Sequence, residues 1–196
     1  TATIAVILTI NGLAGAYSNV SDDYAKGKYK NVILMIGDGM GPEQVKAGAI
    51  YKGEALTMQG FPYQTTVQTR SAFDEVTDSA AAATALATGK RTSNGMVAKD
   101  PNYLNLETIV DIASGMGKRT GIIATEELYG ATPMGFSGHA YNRNDTACLL
   151  ETAATTGNVN FFASYVMDTT YQSIFTNAGY ENVTAVEEIS ESTSDK

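Results

Sequence analysis

An unbroken apolar run, Asn31 to Ile36, ends abruptly in Gly37-Asp38-Gly39-Met40-Gly41, with Pro42 directly behind it. A continuous apolar run bounded by turn residues is the pattern of a strand buried on both faces, as in a parallel sheet. Pro42 suits the first position of a helix, which is expected to run to about Tyr51 and stop at Gly53. The chain thus opens on a strand, a glycine-rich turn and a helix, the beginning of an α/β fold.

The same alternation continues downstream. Tyr63 to Arg70 is rich in threonine and reads as an outer strand. Asp78 to Thr88 (DSAAAATALAT) has strong helix propensity, with Thr77 as the expected N-cap and Gly89 as the C-cap. Leu106, Ile109, Val110 and Ala113 follow helical spacing up to Gly115 and Gly117. Thr120 to Thr125 then reads as a strand, Asp145 to Thr155 as a helix and Val159 to Ala163 as another buried strand. Strands alternating with helices predict a mostly parallel sheet covered on both faces, with chemistry gathered at the carboxyl ends of the strands. Asp38 and residues 126 to 143 fall on that edge.

The ends differ in character from this body. Thr1 to Ala16 is apolar and closes on Ala14-Gly15-Ala16, a small-x-small cleavage pattern, so it is expected to be the remainder of a signal peptide, the alternative being a buried N-terminal strand or helix. It is too short and interrupted for a stable membrane span. Residues 17–30 read as a polar linker, 31–190 as the folded part and 191–196 as a polar tail. The net charge of −8, with scattered basic residues, argues against nucleic acid as a partner. The lone Cys148 forms no internal disulfide and reads as a core-facing residue.

Three segments carry candidate chemistry. Asp38, between glycines at the end of a strand, suits a divalent cation or caps the following helix. Ser79 stands in the first turn of the alanine-rich helix, where unpaired N–H groups and the helix dipole favour an anion, although Thr77 and Asp78 also make sense as caps alone. Arg143, downstream of Gly130-Ala131-Thr132-Pro133, can grip two phosphate oxygens or lie solvated on the surface. His139 is the single histidine, which rules out a histidine-based triad activating Ser79, and it reads as a structural residue.

Taken together, NVILMIGDGMG, then VTDSAAAATALATGKRTSNGMV, then ATP followed by HAYNR resemble the alkaline phosphatase family in order and separation. The resemblance is strong from Asn31 to about Asp145 and most specific from Val76 to Val97. It implies a three-layer α/β/α sandwich with a mostly parallel sheet, truncated here at its C-terminus. It also implies hydrolysis of phosphate monoesters through a phosphoserine, at a site with two Zn²⁺ and one Mg²⁺. Carried over by position, Asp38 bridges a zinc and the magnesium, Ser79 binds that zinc and attacks phosphorus, and Thr132 reaches the magnesium. Arg143 clamps the phosphate oxygens, with Asp78 helping to hold it.

The resemblance further implies phosphate monoesters and inorganic phosphate as partners, a secreted or periplasmic location and, for a full-length parent, a homodimer. Two departures stand out. Gly130 falls where the family commonly has Asp or His two residues before the threonine, and the remaining metal ligands lie in a C-terminal half absent here, so the 196 residues alone are expected to be inactive. The alternatives are a sister metalloenzyme of the same superfold, of sulfatase or phosphoglycerate mutase type, and a non-catalytic phosphate-binding chain. The DSA context of Ser79 speaks against a sulfatase.

Overall fold

The computed structural model describes residues 4–9, 31–165, 169–185 and 187–188. It falls into two units, residues 1–67 and 68–196. The 17–30 linker and the 191–196 tail lie outside the described residues, as does most of the segment read as a leader.

In the first unit, β1 (Ile4–Thr9) pairs antiparallel with β2 (Val32–Gly37), in register from Ile4 opposite Gly37 to Thr9 opposite Val32. This corrects the expectation of a buried parallel strand. The apolar run finds its hydrogen-bonding partner in another β-branched apolar segment, and Val32, Ile33 and Met35 stay 53%, 42% and 58% exposed. The turn that follows is as read: Met40 N–H donates to the Gly37 carbonyl, and Gly39 takes a φ of 66°. Helix α1 (Pro42–Lys52) has Pro42 at its start. The Gly41 N–H donates to Gln44 Oε1, and Gly53 closes the helix in the left-handed conformation. A 3₁₀ turn, Thr57–Gly60, ends the regular structure of this unit. Residues 63–70 form no strand; they straddle the boundary between the units and have no ladder partner among the described residues.

The second unit holds the core. Helix α2 (Ser79–Thr88) presents a face of small residues: Ala80, Ala81, Ala83, Thr84 and Ala87 are buried. Small side chains let backbones approach, and a Cβ at Gly135 would sit 2.5 Å from the Ala83 methyl. Helix α3 (Ile109–Gly115) begins at Thr108, not Leu106, because Thr108 and Asp111 cap one another: Asp111 N–H donates to Thr108 Oγ1 and Thr108 N–H to Asp111 Oδ2.

Strand β3 (Gly121–Glu127) pairs in parallel with β4 (Phe161–Tyr165), in register from Gly121 opposite Phe161 to Ile123 opposite Ala163. The pair enters through side chains. Thr120 N–H donates to Asn160 Oδ1 at 3.0 Å, and Asn160 N–H returns a bond to the Thr120 carbonyl. That pinning, with Asn158 at a φ of 51°, shifts β4 two residues beyond the expected Val159 to Ala163.

A short turn of helix, α4 (Ala131–Met134), follows β3. Helices α5 (Thr146–Thr156) and α6 (Thr169–Asn177) pack against each other and complete the core around Leu128, Met134, Leu149, Leu150, Ala153 and Phe175. The α6 helix was not anticipated from the sequence. Phe162, Phe175 and Tyr180 form an edge-to-face aromatic cluster, and the Tyr180 hydroxyl donates to the Val159 carbonyl.

Candidate active site

The helix start at α2 is organised by Asp78. Asp78, rather than Thr77, is the N-cap: its Oδ1 accepts the Ala81 N–H at 2.9 Å, which leaves Ser79 as the first helical residue. A carboxylate is the stronger acceptor, and the Thr77 hydroxyl instead donates to the Asp78 carbonyl. Ser79 is half-buried at the end of a ten-residue helix where backbone donors point outward.

The second oxygen of Asp78 draws in two segments distant in sequence. Oδ2 accepts the Gly95 N–H at 2.9 Å and lies 3.4 Å from Arg143 Nη1. Gly95 is the hub of this arrangement, because its carbonyl also accepts the Arg143 backbone N–H at 2.8 Å. Its φ of 84° is one that favours glycine. Asn94 beside it accepts the Asp78 N–H and donates to the Val76 carbonyl. Val97 and Ala140 exchange two backbone bonds, which fastens the loop after α2 to the segment that carries Arg143. The Arg143 guanidinium is thereby held against the Asp78 carboxylate at the start of the helix whose first residue is Ser79. Asn94 and Gly95 were not singled out from the sequence, although an Asn-Gly pair is a turn signal.

The other candidate residues lie on other elements. Thr132 lies in α4, half-buried, after the carboxyl end of β3. Asp38 belongs to the first unit, exposed in the turn behind β2. His139 is 7% exposed, and its Nε2 lies 3.1 Å from the Leu106 carbonyl, which can only accept; Nε2 therefore carries the proton and His139 serves the core. Burial, reinforced by Asp145, raises the Cys148 thiol above its ordinary pKa.

The donor chemistry sorts the metals. Asp38 and Thr132 offer hard oxygens, which fit magnesium. A pair of zinc ions asks for more, and the described residues contain no group of three or more His, Cys, Asp or Glu side chains able to hold a metal.

These features define an α/β protein that gathers a serine, an aspartate and an arginine at the head of an alanine-rich helix. The sequence profile of the family described as alkaline phosphatase matches residues 29–182, and the chain belongs to that family. It is 36% identical to alkaline phosphatase of Escherichia coli over 69% of this chain and 30% of that protein. It is 33% identical to alkaline phosphatase 4 of Drosophila melanogaster over 69% and 25%. Streptomycin-6-phosphate phosphatase of Streptomyces griseus is 35% identical over 67% and 31%.

Among solved structures, alkaline phosphatase from the Antarctic bacterium TAB5 superposes with a TM-score of 0.72 at 26% identity, covering 81% of this chain and 49% of that one. A mutant of the same enzyme, similar at a TM-score of 0.69 and 27% identity over 76% and 45%, carries magnesium in its M3 site. The expected alkaline phosphatase-like α/β fold is thus shown. The chain spans about a quarter to a third of the length of these curated relatives.

Proposed function

We propose that this chain is the N-terminal part of an enzyme that hydrolyses phosphate monoesters through a phosphoserine at Ser79. The observation that carries the reading is the Asp78–Arg143 pair beside Ser79 at the head of α2, in a chain of the alkaline phosphatase family.

Each residue has a role that follows from its chemistry. The Ser79 Oγ attacks phosphorus; the Oγ–P bond forms, the bond to the ester oxygen breaks, and the alcohol departs with a proton. The N-terminus of α2 favours the negative phosphoryl group on Ser79. Arg143, its side chain 37% exposed, grips two non-bridging oxygens, and Asp78 keeps the guanidinium aimed at that spot. Water then cleaves the phosphoserine, releasing inorganic phosphate and restoring the hydroxyl.

Asp38 and Thr132 are the residues of this chain that would hold magnesium, and Asp38 and Ser79 those that would contribute to a zinc site. Such ions, when bound, stabilise the charge on the attacking and leaving oxygens. The reading includes a secreted or periplasmic enzyme, and a homodimer at full length. Among the described residues no helix is long and apolar enough to cross a membrane.

The test is phosphoenzyme trapping with a ³²P-labelled monoester in the full-length protein. Wild type is expected to hold acid-stable label and Ser79→Ala none, whereas label retained by the variant would refute the nucleophile. The 196-residue chain alone, supplied with Zn²⁺ and Mg²⁺, is expected to show no turnover of an aryl phosphate.

A further inference from the structure

Residue 130 is a glycine for which the backbone supplies no reason. Its φ of −55° and ψ of 145° are values that any L residue adopts, unlike Gly95 or Gly39 with positive φ. The nearest atoms to the place a Cβ would occupy all belong to the side chain of Glu126, whose carboxylate oxygens lie 2.6 and 2.7 Å from it. The head of Glu126 fills the space into which a side chain at 130 would grow.

Glu126 reaches that space through an irregularity in its strand. The β3–β4 ladder runs in register to Ile123 opposite Ala163 and is shifted before Glu127 opposite Tyr165. Irregularities of this kind re-aim a side chain near the end of a strand. The turn behind it is closed by Gly130 N–H donating to the Glu127 carbonyl at 2.9 Å, and it leads within two residues to Thr132. A carboxylate and a hydroxyl thus flank one turn at the carboxyl end of β3, and both are donors of the hard oxygen type that magnesium takes.

Resting on the proposed reading of Thr132 as a magnesium residue, we infer that Glu126 supplies the carboxylate on the magnesium side of the site, in the place a side chain at residue 130 would otherwise hold. Glycine at 130 is the complement of glutamate at 126. The turn has room for one carboxylate there, from either position.

A double-mutant cycle of Glu126→Gln and Gly130→Asp in the chelator-stripped full-length protein, titrated calorimetrically with Mg²⁺, tests this without reference to turnover. Glu126→Gln is expected to weaken Mg²⁺ about 10- to 100-fold, as loss of a metal-supporting carboxylate does. Gly130→Asp on that background is expected to recover most of the loss. Gly130→Asp alone is expected to change affinity little, because the far end of a flexible glutamate gives way.

Asp38→Asn and Thr132→Val are titrated alongside. If they weaken Mg²⁺ while Glu126→Gln does not, the inference is overturned and the reading of the site stands. If neither changes the affinity, the magnesium reading falls and the inference with it. A loss in Glu126→Gln that Gly130→Asp leaves unrepaired overturns the shared place of the two carboxylates.

Discussion

The two units position candidate residues in opposite ways. In the first, Asp38 rides on a turn made from neighbours in sequence, and no residue of the following helix α1 is buried. In the second, Asp78 is fixed by bonds that reach 17 and 65 residues along the chain, to Gly95 and Arg143, above a helix whose inner face is buried. A turn built from local contacts is retained under many sequence changes. A carboxylate shared among a cap, a loop and a guanidinium is over-determined, and a site that must hold charge in one geometry benefits from that.

The comparison is broken most directly through the cores. Leu149 is fully buried in the second unit, and Leu149→Ala is expected to cost about 2–5 kcal/mol through lost burial and an unfilled cavity. Ile50, 73% exposed on α1, is expected to tolerate Ile50→Ala within about 0.5 kcal/mol. Urea unfolding monitored by circular dichroism decides between them, and equal costs would erase the distinction between the units.

A smaller effect sharpens it at the site. Asp78→Ala removes the cap of α2 together with the acceptor for Gly95 and Arg143, and a loss of about 1–2 kcal/mol is expected. Asp78→Asn keeps an acceptor for the cap but sets an amide NH₂, which cannot accept, against the Gly95 N–H and Arg143, so it is expected to retain only the cap's share of that stability. If both variants cost the same, the bonds to Gly95 and Arg143 rather than the cap organise the helix start.

What the sequence disclosed follows the same division between local and distant causes. Pro42, Gly53 and Gly89 mark helix ends through local chemistry, and the structure has α1 and α2 where those residues put them. Strand pairing is not local. The run Asn31 to Ile36 looks like any doubly covered parallel strand until Ile4–Thr9 is found beside it, and residues 63–70 carry β-prone threonines but have no ladder partner among the described residues.

The site shows the contrast again. No spacing rule brings Arg143 to Asp78 across 65 residues; likeness to the alkaline phosphatase family was needed to link them. The contact between Glu126 and Gly130 is invisible in the letters, since it depends on a ladder that slips before Glu127.

The smallest effect concerns pH and tests how tightly the aromatic cluster around Tyr180 is packed. Burial pushes the Tyr180 hydroxyl from its ordinary value near 10 up to about 12. A folded-state pKa above the unfolded one means that the folded protein keeps a proton the unfolded chain releases. The associated stability is complete below about pH 10 and is lost as pH rises from 10 through 12. Tyr180→Phe removes both this titration and the hydroxyl's bond to the Val159 carbonyl. At pH 9 the variant is therefore expected to be less stable by about 1 kcal/mol. Between pH 10 and 12 the wild type declines faster, and the gap in Tm narrows. A gap that stays constant across that interval would mean that the ring meets water freely and that the Phe162, Phe175 and Tyr180 cluster is not closed.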